Sequence, residues 1–203
     1  MLLENRYQYD PQADFIADGS SAKVYKAIDT TNDETVVIKF YHSLPVAADV
    51  FKKNMEQACS LSHDNLVQLH NYFEMQYVNH FGQVEQIRVG VWEHVTQVPY
   101  PDFDGEQTEA IVRDVLHGLQ YLHAQGKYHL DLKPKNVYVT EDGRAKLNNY
   151  LITDKLQDGK VTAKIAVDKT NLYKAPEFFE GKSRDVHANA DLWSFGILLY
   201  EIT

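Results

Sequence analysis

The feature that most constrains the fold of this chain is a change of character near its middle. Residues 15–41 read as strand, turn, strand, turn and strand, because β-branched and aromatic residues are punctuated by turn formers. A proline-containing run at 99–101 interrupts this pattern, and apolar residues over 111–122 then recur at helical spacing. These patterns predict an α+β fold with a β-rich lobe over 1–95 and a mainly helical lobe over 96–203.

The β-rich lobe is predicted to hold a five-stranded antiparallel sheet and one helix. Three of the strands lie within 15–41, and two more are predicted at 66–73 and 86–95. Residues 45–61 have helical spacing of their apolar side chains, so the helix is predicted there.

Composition and charge exclude several classes of protein. The 203 residues carry 20 Lys and Arg against 29 Asp and Glu, a net charge of −9, so we expect neither a nucleic-acid site nor binding to an anionic membrane. Cys59 is the only cysteine, which excludes an internal disulfide framework and a cysteine-rich zinc site. No apolar stretch approaches the ~20 residues of a membrane span, so a cytoplasmic location is expected. Residues 197–203 read as a helix without a stop signal, which suggests a truncated domain.

The motif with the clearest chemistry is His129-Leu130-Asp131-Leu132-Lys133-Pro134-Lys135-Asn136. It precedes a predicted hairpin, in which strands 137–139 and 145–147 flank an Asp-Gly turn. A carboxylate followed five residues later by an amide can orient a hydroxyl group and hold a metal ion, and a lysine between them can neutralise a phosphoryl group during transfer. This spacing indicates phosphoryl transfer.

Together with three further motifs, this one resembles the eukaryotic-type protein kinase superfamily, in its Ser/Thr branch. Val36-Val37-Ile38-Lys39 resembles the strand with the phosphate-binding lysine, Ala175-Pro176-Glu177 the motif that closes the activation segment, and Asp191 to Gly196 the start of the central C-lobe helix. The resemblance implies a bilobal kinase fold, here with a truncated C-lobe. It also implies a signalling transferase that uses ATP and Mg²⁺ and has a protein substrate or partner, but it gives no oligomeric state.

The resemblance assigns roles to individual residues. Asp131 and Lys133 would be catalytic, Asp131 by orienting the substrate hydroxyl and Lys133 by stabilising the γ-phosphoryl group. Asn136 and, more weakly, Asn149 would hold the metal ion. The residues that would bind the nucleotide are Gly19, Val24, Val37, Lys39, Glu93, Val95 and Tyr138.

Departures from the family pattern fall on the groups that handle metal and phosphate. The metal-binding Asp-Phe-Gly motif maps to Asn149-Tyr150-Leu151, so a neutral amide replaces the carboxylate that Mg²⁺ favours. The glutamate expected to pair with Lys39 maps to Asn54, and only Gly19 remains of the glycine-rich loop. These departures predict weakened metal and nucleotide binding. Leu130 replaces the arginine that would pair with an activation-loop phosphate, so control by phosphorylation of that loop is less expected.

The predicted adenine slot is altered as well. Trp92 maps to the residue that guards the back of the pocket, Val37 stands where a smaller alanine is usual, and Tyr138 stands where an aliphatic residue is usual. Together these three side chains predict a narrowed or filled pocket.

Three functions fit this sequence. The favoured one is a pseudokinase, a regulatory or scaffolding module with weak or absent ATP-dependent phosphoryl transfer. The second is an active Ser/Thr kinase with an atypical metal site, since Lys39, Asp131, Lys133 and Asn136 are all retained. The third is transfer of a different group from ATP by the same fold.

Overall fold

The structure, a computed structural model, describes residues 1–19, 21–44, 47–78, 81–97, 104–150, 156–157, 160–161, 172–179 and 188–202. The chain divides into two compact units. The N-terminal unit comprises Met1–Ser62 and Gln68–His94, and the C-terminal unit comprises His63–Val67 and Val95–Thr203. This division differs from the lobes suggested by the sequence in placing the segment His63–Val67 and residue Val95 with the C-terminal unit. The predicted linker at 99–101 lies outside the described residues.

Within the described residues, the N-terminal unit contains a seven-stranded antiparallel sheet. Its strands are β1 (Leu2–Leu3), β2 (Tyr7–Gln8), β3 (Phe15–Asp18), β4 (Ala22–Asp29), β5 (Glu34–Tyr41), β6 (Leu69–Val78) and β7 (Val84–Glu93). They lie in the order β1-β2-β4-β5-β7-β6, and β3 pairs with the first half of β4 while β2 pairs with its end. One hydrophobic core contains Leu3, Tyr7, Tyr9, Ala27, Val36, Ile38, Val89 and Val91.

The predicted count of five strands is wrong, because β1 and β2 precede the five that the sequence indicates. Each has two residues, which is too short for a period-two pattern to be recognised. The turn between them uses positive φ at Glu4 and Asn5, and Tyr7 is fully buried after it. Arg6 donates from Nε to both carboxylate oxygens of Asp29 at the end of β4, and from Nη2 to Oδ2. These hydrogen bonds hold the pKa of Asp29 well below its usual range. This ion pair fastens the extra strands to the sheet.

The helix predicted at 45–61 is observed as α1 (Ala48–Cys59). Its buried side chains are Phe51, Met55 and Ala58, which recur at helical spacing on one face. The ring of Phe51 lies 4.9 Å from that of Tyr41 on β5 and 6.1 Å from that of Tyr72 on β6. Aromatic burial therefore packs α1 against the sheet.

The C-terminal unit begins its regular structure with α2 (Gly105–Ala124), which contains the predicted helical stretch 111–122. Asp104 caps the helix, since its side chain accepts a hydrogen bond from Gln107 N while Asp104 N donates to Gln107 Oε1. The helix is followed by Gly126 at φ +65°, a conformation in which glycine carries no Cβ penalty.

The predicted hairpin is confirmed as β8 (Val137–Val139) and β9 (Ala145–Leu147). The segment His63–Val67 is tied to β9, because Leu147 N donates to Asn65 O, Val67 N donates to Leu147 O, and Asn65 Nδ2 donates to Ala145 O. Gly118 on α2 allows this close approach, since a Cβ there would lie 2.9 Å from Asn65 O.

The remaining elements of the C-terminal unit are short, apart from one helix. They are the 3₁₀ turns Pro134–Asn136 and Pro176–Phe178, the paired strands β10 (Leu156–Gln157) and β11 (Lys160–Val161), and α3 (Ala188–Ile202). Over the described residues, no helix is long and apolar enough to cross a bilayer.

Candidate functional site

The structure brings four of the predicted site residues together in the C-terminal unit: Asp131, Lys133, Asn136 and Asn149. The loop 129–136 ends in the 3₁₀ turn Pro134–Asn136, in which Asn136 N donates to Lys133 O at 2.9 Å. Proline at the first position of this turn presets its φ. The turn leads into β8, and the paired strand β9 returns the chain to Asn148, whose N–H donates to Asn136 O at 2.8 Å. Asn149 follows directly and lies beside the loop.

The Asp131 carboxylate is surrounded by donors. Lys133 Nζ lies 2.7 Å from Oδ2, and Lys174 Nζ lies 3.1 Å from Oδ1. Asn136 Nδ2 also donates to Oδ2 at 2.9 Å. Burial alone would raise the pKa of Asp131, but the ammonium groups of Lys174 and Lys133 outweigh it and hold this pKa below its ordinary value. Asp131 is therefore an ionised carboxylate at neutral pH.

The two asparagines at the predicted metal positions are hydrogen-bonded to each other. Asn136 Nδ2 donates to the backbone oxygen of Asp131 at 2.7 Å as well as to its carboxylate, so the amide nitrogen of Asn136 must face Asp131. Its Oδ1 consequently faces the other way, where it accepts a hydrogen bond from Asn149 Nδ2 at 2.9 Å. An aspartate at position 149 would have no N–H to donate. The hydrogen bond between Asn149 and Asn136 therefore requires the amide of asparagine at position 149.

These residues do not fit a magnesium ion well. Mg²⁺ is held in proteins by carboxylates together with substrate phosphates, whereas Asn136 and Asn149 offer neutral oxygens. The Oδ1 atom of Asn136 already accepts a hydrogen bond, and the Asp131 carboxylate is matched by two ammonium groups. Across the described ranges, no group of three or more His, Cys, Asp or Glu side chains could hold a metal ion either.

A buried carboxylate on α3 fixes the backbone of the loop. Asp191 Oδ2 accepts a hydrogen bond from His129 N at 2.8 Å, and its Oδ1 accepts one from Leu130 N at 2.7 Å. Its Oδ2 also lies 2.8 Å from His123 Nε2 on α2. Burial lowers the pKa of His129, so this imidazole is neutral, and its Nδ1 accepts a hydrogen bond from Asp131 N. His129 thus supports the loop.

Lys39 on β5 lies above an indole ring in the N-terminal unit. Its Nζ is 4.7 Å from the ring centre of Trp92 on β7, a cation–π distance. Trp92 is buried, and its Nε1 donates to Tyr41 Oη at 3.2 Å. Gly90 makes room for the indole, since a Cβ there would lie 2.8 Å from Trp92 Nε1. Burial of the ammonium group lowers the pKa of Lys39 to about 8.

The residues predicted to bind the nucleotide are divided between the two units. Gly19, Val24, Val37, Lys39 and Glu93 belong to the N-terminal unit, and Val95 and Tyr138 belong to the C-terminal unit.

In the N-terminal unit, Gly19 N donates to Ala22 O, which closes the turn from β3 to β4. Val24 pairs with Lys39 in the ladder between β4 and β5, and Val37 pairs with Trp92 in the ladder between β5 and β7. Glu93 ends β7 and accepts a hydrogen bond from Gln68 N through Oε2.

In the C-terminal unit, Val95 is half-buried, just after β7 ends in the other unit. Tyr138 lies on β8, where its hydroxyl accepts a hydrogen bond from Asn148 Nδ2 and burial raises its pKa. Leu151, the third residue of the altered metal motif, lies outside the described residues.

Two side chains that complete the loop cluster, Lys174 and His123, were not predicted from the sequence. Lys174 contacts Asp131 and His123 contacts Asp191, although these pairs are 43 and 68 residues apart along the chain. Contacts of such separation leave no local pattern. The one available signal was the position of Lys174 directly before Ala175-Pro176-Glu177.

Comparison with known proteins identifies the fold family. Residues 12–203 match the family profile described as "Protein kinase domain". CBL-interacting protein kinase 5 of Oryza sativa subsp. japonica is 28% identical over 207 residues, which cover 98% of this chain and 43% of that protein. Probable serine/threonine-protein kinase PknB of Bifidobacterium longum (strain NCC 2705) is 27% identical over 214 residues, or 99% of this chain and 30% of that protein. Maternal embryonic leucine zipper kinase of Danio rerio is 28% identical over 191 residues, or 92% of this chain and 28% of that protein. The chain thus spans less than half the length of these relatives.

Proposed function

The chain is a member of the protein kinase domain family, and we propose that it acts as a pseudokinase, a regulatory or scaffolding module with weak or absent phosphoryl transfer from ATP. The observation that carries this proposal is the hydrogen bond from Asn149 Nδ2 to Asn136 Oδ1. The donor of this hydrogen bond is a neutral amide, at the position where the family has a metal-binding carboxylate.

Phosphoryl transfer in this family depends on metal ions that bridge the phosphates and neutralise developing charge. To bind Mg²⁺ here, Asn136 would have to share or give up a hydrogen bond worth about 1 kcal/mol. The larger deficit is the missing negative charge, because Asn149 adds none to the field that would attract a divalent cation. Both effects disfavour the metal, which supports weak or absent transfer.

The module is proposed to act on or with another protein, in the cytoplasm. The net charge of −9 disfavours partners that carry phosphate backbones or anionic headgroups. The three relatives are all named as kinases, and proteins of this family generally act on protein substrates.

A second candidate, an active Ser/Thr kinase with an atypical metal site, is favoured by one observation. The ionised Asp131 carboxylate lies 2.7 Å from Lys133 Nζ, so the pair that would orient a hydroxyl group and stabilise a transferred phosphoryl group is assembled. The retained Asp131–Lys133 pair is compatible with an active kinase and equally with a pseudokinase that acts as a scaffolding module.

Thermal unfolding with ATP, with and without Mg²⁺, separates the two candidates. A ligand that binds the native state raises the unfolding midpoint by mass action. We expect no Mg²⁺-dependent rise for the unaltered protein and a clear rise for Asn149→Asp. The matched control is Asn189→Asp, an exposed position on α3 that adds the same charge away from the loop and should show no rise.

A Mg²⁺-dependent rise in the unaltered protein as large as that of Asn149→Asp would contradict the proposal. So would a mass gain of about 80 Da on incubation with Mg·ATP that is lost in Lys39→Ala, since it would establish phosphorylation. A gain of about 329 Da would instead establish transfer of an adenylyl group.

A further inference from the structure

Lys174 places an ammonium group inside the C-terminal unit, against the loop 129–136. Its Nζ donates to Leu130 O at 2.7 Å and to Asp131 Oδ1 at 3.1 Å. The same nitrogen lies 5.4 Å from the ring centre of Phe178, and only 10% of the Lys174 side chain is exposed. Removing an ammonium group from water is unfavourable, so these contacts must compensate the desolvation of Lys174.

The residue that Lys174 contacts has a strained backbone. Leu130 has φ +60°, in the left-handed region that costs a residue with a Cβ about 1–2 kcal/mol. Such a conformation persists only where its surroundings determine it. Here the N–H of Leu130 donates to Asp191 on α3, and its carbonyl oxygen accepts from Lys174. The strained residue is therefore held on both sides of its Cα atom.

We propose that Lys174 is a positioning residue, whose ammonium group locks Leu130 in the left-handed conformation and thereby sets the orientation of the Asp131 carboxylate. Asp131 directly follows Leu130, so the ψ of Leu130 decides where the peptide unit leading to Asp131 points. The two carboxylate oxygens of Asp131 are then fixed by different lysines, Oδ1 by Lys174 and Oδ2 by Lys133. This role goes beyond the proposed function and holds whether or not phosphoryl transfer is retained.

The experiment compares Lys174→Met with Lys135→Met, both measured by NMR. Methionine keeps the unbranched stem that packs near Phe178 but removes the charge, whereas Lys135 is an exposed lysine of the same loop whose removal costs the same charge. In Lys174→Met, the amide of Leu130 should exchange with solvent about tenfold faster or more, because one side of the clamp is lost. The Cα and Cβ chemical shifts of Leu130 should also move away from the values that its left-handed conformation produces. Lys135→Met should change neither measurement.

The chemical shifts of Leu130 are the decisive readout, because a lysine that merely fills space would not determine the φ and ψ of Leu130. Lys174→Met values equal to those of Lys135→Met would overturn the proposal. If Lys174→Met does not fold, Lys174→Arg replaces it, because arginine keeps the charge but carries a wider, planar head. Amide exchange at Leu130 should then accelerate, and unchanged exchange would overturn the proposal. None of these readouts depends on nucleotide binding, so failure here is distinct from failure of the proposed function.

Discussion

Replacing Asp191 by alanine should destabilise the C-terminal unit by several kcal/mol. The carboxylate is fully buried and accepts hydrogen bonds from two backbone N–H groups, those of His129 and Leu130. Alanine would leave both donors without this acceptor. A buried donor left unsatisfied costs about 1–3 kcal/mol, so the expected loss in the free energy of unfolding is about 2–6 kcal/mol. His123, the third contact, is 19% exposed and can turn to water, so it adds little.

Asparagine at the same position sharpens this expectation. Its single carbonyl oxygen can accept from one of the two backbone donors, so Asp191→Asn should lose about half as much stability as Asp191→Ala. The control is Leu192→Ala, the next residue on α3, whose side chain is 48% exposed. A substitution at such a surface position changes stability by about 0.5 kcal/mol or less.

Urea unfolding followed by tryptophan fluorescence measures these differences, and amide exchange at His129 and Leu130 localises them. Native proteins have only about 5–15 kcal/mol of stability, so Asp191→Ala can fall below the folding threshold while Asp191→Asn stays measurable. A loss for Asp191→Ala no larger than that for Leu192→Ala would refute the reasoning. It would mean that the loop does not depend on this carboxylate.

Two further predictions concern a close contact and a buried charge. Gly118→Ala should lower the free energy of unfolding by about 1–3 kcal/mol, because the new Cβ would lie 2.9 Å from Asn65 O. Gly196→Ala should raise the free energy of unfolding by up to about 1 kcal/mol, because a Cβ at this position on α3 has open space around it. Urea midpoints in the opposite order would contradict both expectations. Burial lowers the pKa of Lys39 from 10.5 to about 8, so between these values the unfolded chain binds more protons than the folded one and stability should rise with pH. Lys39→Met should lack that rise in unfolding curves recorded over this interval, and an equal rise in both proteins would show that another group is responsible.

The sequence predicted those parts of the fold that depend on local pattern. The bounds of both strands of the hairpin β8–β9 were predicted correctly, because the Asp142-Gly143 dipeptide is a local turn signal. In the structure, Gly143 has φ +75°, a conformation that favours glycine. The helix α2 was recognised from its apolar spacing. By contrast, β1 and β2 are two residues long, and their position depends on burial of Tyr7 and on the ion pair between Arg6 and Asp29. Those are tertiary contacts, which a local pattern does not contain.

In the candidate site too, the features that depend on local sequence were predicted, and those that depend on tertiary contacts were not. The loop cluster contains Asp131, Lys133 and Asn136, and only five residue positions separate the first from the last. The 3₁₀ turn Pro134–Asn136 brings these side chains together, so their spacing in the sequence was sufficient to predict the cluster. The approach of Lys39 to Trp92 depends instead on the pairing register of β5 with β7, in which Val37 lies opposite Trp92. A one-residue change of register would move every side chain of β7 to the other face of the sheet. The sequence identified both residues without indicating that they touch.

Asn149 and Lys174 change the electrostatics of the loop in the same direction. The first removes a negative charge that the family pattern places beside Asn136, and the second adds a positive charge to the carboxylate of Asp131. The cluster then contains one carboxylate against two ammonium groups, which is an unfavourable field for a divalent cation. Each residue also makes a hydrogen bond that holds the loop: Asn149 donates to Asn136, and Lys174 donates to Leu130. The contacts by which Asn149 and Lys174 hold the loop are therefore the ones that disfavour a metal ion, so the order of the loop and the proposed weak transfer have a common physical cause.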